Sequence, residues 1–109
     1  MAAMTPLTYE ILLALADEER HGYGIIKEIE ARSGPGSAPS TGALYLALQR
    51  MEGNGLIEEA AVPAESADAR RRYYHLTDAG RQGAEAESER LERLVFSARE
   101  KKLLARGIS

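Results

Sequence analysis

Few side chains in this sequence are equipped for covalent chemistry. The chain of 109 residues has no cysteine and two histidines, His21 and His75. Without cysteine there is no thiol nucleophile, disulfide, iron–sulfur site or thiolate-held zinc. A metal would need carboxylates, and none are arranged for it. Ser33, Ser37, Ser40, Ser66, Ser88, Ser97 and Ser109 lie in no nucleophile-elbow pattern, and no glycine-rich phosphate loop follows a strand. Neither histidine stands in a paired carboxylate-and-nucleophile set. His21 reads as a turn or helix-start residue and His75 as a surface residue of a short strand. The expectation is a protein that is not an enzyme and carries no cofactor and no metal.

The chemistry that remains is non-covalent. Ser40, Thr41, Gly42, Tyr45, Leu46, Gln49 and Arg50 fall within eleven consecutive residues, and Arg70, Arg71 and Arg72 are consecutive. Hydroxyls, a carboxamide and guanidinium groups are the donors that hold phosphates and base edges. The net charge of −3 argues weakly against a polyanionic partner, because nucleic-acid-binding domains are usually basic. Fields and contacts are local, however, and an acidic chain with a basic face can still bind DNA.

Elements must position these groups. Thr5 and Pro6 read as a helix start, with Thr as the cap and Pro in the first turn. Leu7, Ile11, Leu12 and Leu15 follow at helical spacing, while Tyr9 and Leu13 fall on another side. A helix apolar on two sides is buried from two directions, and the second covering is expected from another subunit. Asp17 to His21 reads as a polar turn. Ile25, Ile26 and Ile29 mark a second helix from Gly22, with Tyr23 packed between helices and Lys27, Glu28 and Glu30 outward. Glycine and proline punctuate residues 33–39 too densely for regular structure.

Ser40 caps a third helix whose Leu44, Ala47, Leu48 and Met51 form one stripe. Gly42, Leu46 and Gln49 point the opposite way, and Gly53, Asn54 and Gly55 end the helix. Residues 56–62 and 71–76 are strand-like, joined by a loop over 63–69. Alternation sends Arg71 to the side of Tyr73 and Arg72 to the side of Tyr74, with Tyr74 and Leu76 as core. Thr77 and Asp78 start a last helix, expected to run to about Arg106 and to be roughly 40 Å long. The fold class is therefore mainly α with a two-stranded antiparallel ribbon: a winged helix-turn-helix plus a long C-terminal helix. Residues 1–76 would form the winged-helix domain and 77–109 the dimerisation helix. The longest apolar run, 11–16, is too short to span a bilayer. Met1 to Met4 has no basic segment before an apolar one, so no signal peptide is expected and the cytoplasm is the default.

This order carries a resemblance. His21, Gly22, Tyr23, Gly24 and Ile25; Ser40, Thr41, Gly42, Ala43, Leu44 and Tyr45; Leu48, Met51 and Glu52; Gly55, Leu56 and Ile57; Arg72, Tyr73 and Tyr74; and Leu76, Thr77 and Gly80 look like the PadR family of bacterial transcriptional regulators. The likeness runs in register from residue 5 to about 80 and resembles the short-tailed branch. It implies a winged-helix dimer on a DNA operator, usually a repressor and often released by a small molecule. Tyr45 matches a family tyrosine. Leu46 stands where the family commonly has proline, which puts any inherited contact there in doubt.

The third helix fits that role physically. An α-helix fits the major groove, and its start with Ser40 and Thr41 suits phosphate. Gly42 allows close backbone approach, Gln49 can pair with an adenine edge, and Leu46 can meet a thymine methyl. Arg50 flanks the same face. Arg70, Arg71 and Arg72 are all candidate DNA contacts; Arg70 and Arg71 are the better candidates for phosphate, and Arg72 either joins them or lies along the ribbon instead.

A homodimer interface is expected from Leu7, Ile11, Leu91, Leu94, Val95 and Ala98. The last helix is acidic from Glu85 to Glu92 and basic from Arg93 to Arg106. Antiparallel pairing would match the two signs; alternatively, the basic end complements the helix dipole. Some family members bind flat aromatic compounds between these helices, using tryptophan. This chain has none, and Phe96 is either the aromatic plate for such an effector or a dimer-core residue. The alternative from another class is a winged-helix protein–protein interaction module without sequence-specific DNA binding.

Overall fold

Each helix begins at a residue whose side chain replaces a missing backbone partner. In the computed structural model, which describes residues 4–61 and 71–105, the oxygens of Thr5, Ser40 and Thr77 accept from the backbone N–H groups of Thr8, Ala43 and Gly80. His21 does the same through Nδ1, accepting from Gly24 at 3.0 Å. These caps open α1 (Pro6–Leu15), α3 (Thr41–Gly53), α4 (Asp78–Glu100) and α2 (Gly22–Ser33) respectively. Such a cap stabilises a helix by about 1 kcal/mol.

The core is built by the expected stripes. Ile11, Leu12 and Leu15 of α1, Ile25 and Ile29 of α2, and Leu44, Leu48 and Met51 of α3 are buried. Ile57 and Tyr74 close it from the sheet. Burying each large aliphatic side chain contributes about 1.5–3 kcal/mol. Ile11 is fully inaccessible, so the expectation that it meets a second subunit is wrong. The helical step that puts Leu7 at the rim turns Ile11 into the three-helix centre.

The sheet has three strands rather than two. β2 (Ile57–Ala60) and β3 (Tyr73–Leu76) form the ribbon, and β1 (Arg20–His21) pairs along the outer edge of β3. The order is β1-β3-β2, all antiparallel. β1 occupies the stretch expected as a turn. Strand pairing begins at Ile57 and Tyr73, inside the expected limits; the loop over 63–69, Val62 and Arg70 lie outside the described residues.

Arg20, on β1, is drawn inward. Its Nε donates to the Ala14 carbonyl at 2.7 Å, and its guanidinium meets Asp17, Glu18 and Glu28. That cation is neutralised inside the fold.

α4 leaves the sheet beside α1. Thr77 donates its hydroxyl to the Gly55 carbonyl at 2.5 Å, and Gly80 lies so close to the backbone leading into β2 that a Cβ there would collide with the Leu56 carbonyl oxygen. Arg81 donates to the Ala16 carbonyl at 2.9 Å, and the Tyr9 and Ser88 hydroxyls meet at 2.6 Å. The Tyr9 side of α1 is therefore covered by this chain's own last helix, not by a second subunit as expected.

α4 stops at Glu100, short of the expected end; Arg106 lies outside the described residues. Lys102 takes φ 63°, while the Lys102 and Leu103 N–H groups donate to the Arg99 and Ala98 carbonyls. This is a Schellman ending with lysine in the position usually held by glycine. No helix among the described residues is long and apolar enough to cross a membrane.

Candidate nucleic-acid interface

α3 is anchored on one side and bare on the other. Leu44, Leu48 and Met51 are buried, whereas Thr41, Gly42, Tyr45, Leu46, Gln49 and Arg50 are exposed. Leu46 retains 48% of its accessible surface, unusual for a leucine with the core one helical turn away. Nothing lies within 4 Å of a Cβ built at Gly42, so no intramolecular packing requires glycine there. The Ser40 oxygen already accepts from Ala43 at 3.1 Å; its hydroxyl proton remains available to an incoming oxygen.

Tyr45 joins this face to α2. A Cβ at Gly22 would come within 2.6 Å of the Tyr45 hydroxyl, so the phenol rests on α2 backbone where only glycine leaves room. Arg50 projects on the opposite flank. With Thr5, Leu7, Thr8 and Leu46 it lines a cleft of about 340 Å³ between α1 and α3.

The two described wing arginines part company. Arg72 Nε lies 3.3 Å from Glu59 on β2, on the ribbon side that carries Tyr74. Burial pushes the Tyr74 phenol up from its ordinary pKa, helped by Glu52 and opposed by Arg72; Tyr74 stays a neutral core residue. Glu58 is similarly occupied, 3.0 Å from His75 Nε2.

Arg71 turns to the other side, where Tyr73 sets its ring edge-on to His21 at 5.2 Å. Its guanidinium carbon lies 5.4 Å from the Tyr23 ring centre, and Lys27 Nζ lies 5.2 Å from the same centre. Tyr23 in turn stacks on His21 at 6.4 Å. Arg71 Nη1 also comes within 2.9 Å of His21 Nε2. Because Nδ1 accepts from Gly24, a neutral His21 carries its proton on Nε2, and the Tyr23 face is one attractive neighbour of the Arg71 guanidinium.

Tyr23 was expected between helices, yet it is 51% exposed. Together with Lys27 it was missed as part of this surface. Their spacing of four residues, which places them on one helix face, was the available signal. Among the described residues no group of His, Asp and Glu is placed to hold a metal.

The model of the transcriptional regulator PadR-like family matches residues 11–86. The chain belongs to that family. PadR-like proteins are regulators rather than enzymes, and the winged helix-turn-helix described above is their DNA-binding fold. The chain resembles a PadR family transcription regulator from Clostridium difficile, with a TM-score of 0.76, 26% identity, and coverage of 88% of this chain and 97% of that one. Bacillus subtilis PadR in complex with operator DNA shares the fold, with a TM-score of 0.64 at 24% identity over 75% of this chain and 46% of that one. In sequence, the chain is 42% identical over 84 residues to an uncharacterized 37.1 kDa protein in a Streptomyces fradiae transposon. That match spans 77% of this chain and 22% of the relative's length.

Proposed function

We propose that this PadR-like protein is a repressor that occupies a pseudo-palindromic operator as a homodimer. The observation that carries the reading is the two-sided character of α3: one face is locked into the core, and the other offers Gly42, Leu46 and Gln49 with no intramolecular task. Gln49 supplies a carboxamide for an adenine edge, Leu46 an apolar contact for a thymine methyl, and Ser40, Thr41 and Tyr45 hydroxyls for phosphates. Arg50, Arg70 and Arg71 add positive charge around that helix and on the wing; Arg72 serves the ribbon by its pairing with Glu59. Residues 1–76 hold the DNA, and the helix within 77–109 pairs with a second copy. The two recognition helices then stand about 34–36 Å apart, one turn of DNA.

Release by a flat aromatic effector completes the reading. At 100° per residue Phe96 stands roughly 150° from the centre of the Leu91, Leu94, Val95 and Ala98 stripe, and it is 65% exposed. That position takes Phe96 out of the dimer core and turns its ring to the outer side of α4, where it would stack on an effector from outside rather than between the two helices. A shift in melting temperature with flat aromatic compounds, lost in Phe96→Ala, is the expected result.

Fluorescence anisotropy on duplexes from upstream of the protein's own coding sequence tests the central claim. Affinity should fall by orders of magnitude between about 50 and about 200 mM salt, and an inverted repeat should be preferred over its scrambled version. Gln49→Ala should cost about 1–3 kcal/mol of that preference, whereas Arg71→Ala should weaken all duplexes alike. Unchanged preference in Gln49→Ala would remove α3 as the reading element. Absence of any duplex binding would leave a protein–protein module.

A further inference from the structure

The cleft between α1 and α3 has no role in the reading above, although it opens beside the recognition face. Leu7 of α1, Ala47 and Met51 of α3, and Leu56 give it an apolar floor, and the exposed Leu46 and Arg50 stand at its mouth. Its volume of about 340 Å³ lies at the small end of the range for ligand pockets, about 300–1,000 Å³. None of its described lining residues is acidic. Among the described residues the Arg50 guanidinium has neither an ion pair nor a hydrogen bond. Thr8 also lines the cleft and keeps only 9% of its accessible surface. The Thr5 hydroxyl oxygen accepts from the Thr8 N–H at 3.1 Å, and the two hydroxyls meet at 2.9 Å. That contact uses one of their two protons. The other has no acceptor among the described residues and is left for an incoming oxygen. An apolar floor beside an unpaired guanidinium suits a molecule with an apolar body and an anionic head. A carboxylate fits the guanidinium best, since it accepts two parallel hydrogen bonds from it.

We infer that the α1–α3 cleft binds a small apolar carboxylate, its body against Leu7, Ala47 and Met51 and its head on Arg50. The site lies within one subunit and is separate from Phe96 on α4. Its consequence for DNA rests on the α3 reading, in which Leu46 and Arg50 face the duplex. A bound acid covers Leu46 and neutralises Arg50, so ligand and operator compete for the same two residues. The competition is mutual: the factor by which the acid weakens operator binding is the factor by which the operator weakens acid binding.

The probe is octanoate, which has no ring for Phe96 to stack on, and 1-octanol is its uncharged counterpart. Amide resonances of the full chain, titrated at fixed ionic strength, locate the binding. Octanoate should move Ala43, Ala47 and Leu56 saturably, and 1-octanol should bind there about tenfold more weakly, having no charged head for Arg50. Arg50→Gln should bring octanoate down to the level of 1-octanol. Saturating octanoate should lower the wild-type affinity for duplex by about 5-fold or more, and 1-octanol at the same concentration should not.

Shifts confined to Leu94, Val95 and Leu104 would mean adsorption on the bare end of α4 and overturn the site. Equal binding of octanoate and 1-octanol overturns it too. Octanoate binding by a monomeric Leu94→Glu variant but not by wild type would mean that a second copy already fills the cleft, and the site falls. If the cleft resonances respond while duplex affinity stays constant, the competition fails and the ligand site stands. If wild type binds no duplex, the α3 reading falls together with the competition, and the amide shifts alone decide the site.

Discussion

Gly42 is the residue where stability and function pull apart. It sits in the first turn of α3, where a methyl group would meet nothing in the protein. Alanine there should raise unfolding free energy by about 0.5–1 kcal/mol, because glycine gives up more freedom on folding. The same methyl would stand between the helix backbone and the DNA. Gly42→Ala should therefore shift the urea midpoint upward while weakening operator binding, and a stabler protein with undiminished affinity would show that the backbone does not approach the groove closely. The face containing Gly42 was legible in the sequence because it depends only on the 100° step between neighbours on one helix. The cluster around Tyr23 was not. Arg71 reaches Tyr23 only because β1 pairs with β3 and places His21 opposite Tyr73, a long-range register that local periodicity does not encode.

Elements were readable where their boundaries were chemical and unreadable where they were tertiary. Thr5, Ser40 and Thr77 announced their helices, and α3 ended as expected, with Gly55 at φ 76°. β1 has two residues and no alternation of its own; it is a strand only because β3 lies beside it. The end of α4 was hidden because Lys102 is neither glycine nor asparagine, and Lys101 to Ala105 are all residues that a helix accepts, so no residue type marks the stop. A left-handed conformation costs a side-chain-bearing residue roughly 1–2 kcal/mol. Lys102→Gly should recover about 1 kcal/mol of that, read as a higher urea midpoint with an unchanged m-value. An unchanged or lower midpoint would mean that the lysine makes compensating contacts there.

The whole molecule is drawn out along α4. Its radius of gyration is 15.6 Å and its extents are 50 × 32 × 26 Å, against a radius of about 13 Å for a compact chain of this length. One stripe explains the shape. Gly80, Ala84 and Ser88 face β2 and α1, and Leu91 ends that packed stretch near Tyr9 and Pro6. The same stripe continues through Leu94 and Val95, 53% and 37% exposed, and Leu103 and Leu104 beyond the helix end are bare as well. A face that is core for its first half and apolar without cover for its second is suited to a second copy. Because Leu94 is more than half exposed and lies outside the core cluster, Leu94→Glu should leave the monomer folded, with native circular dichroism and melting. Sedimentation should then shift from dimer to monomer. Losing the second half-site also loses the gain from linked binding, commonly about 10²–10⁴ in affinity, so operator binding should fall by a comparable factor while the affinity for an isolated half-site persists. A monomeric Leu94→Glu protein with wild-type operator affinity would show that one reading head suffices, and a dimeric one would move the interface off this stripe.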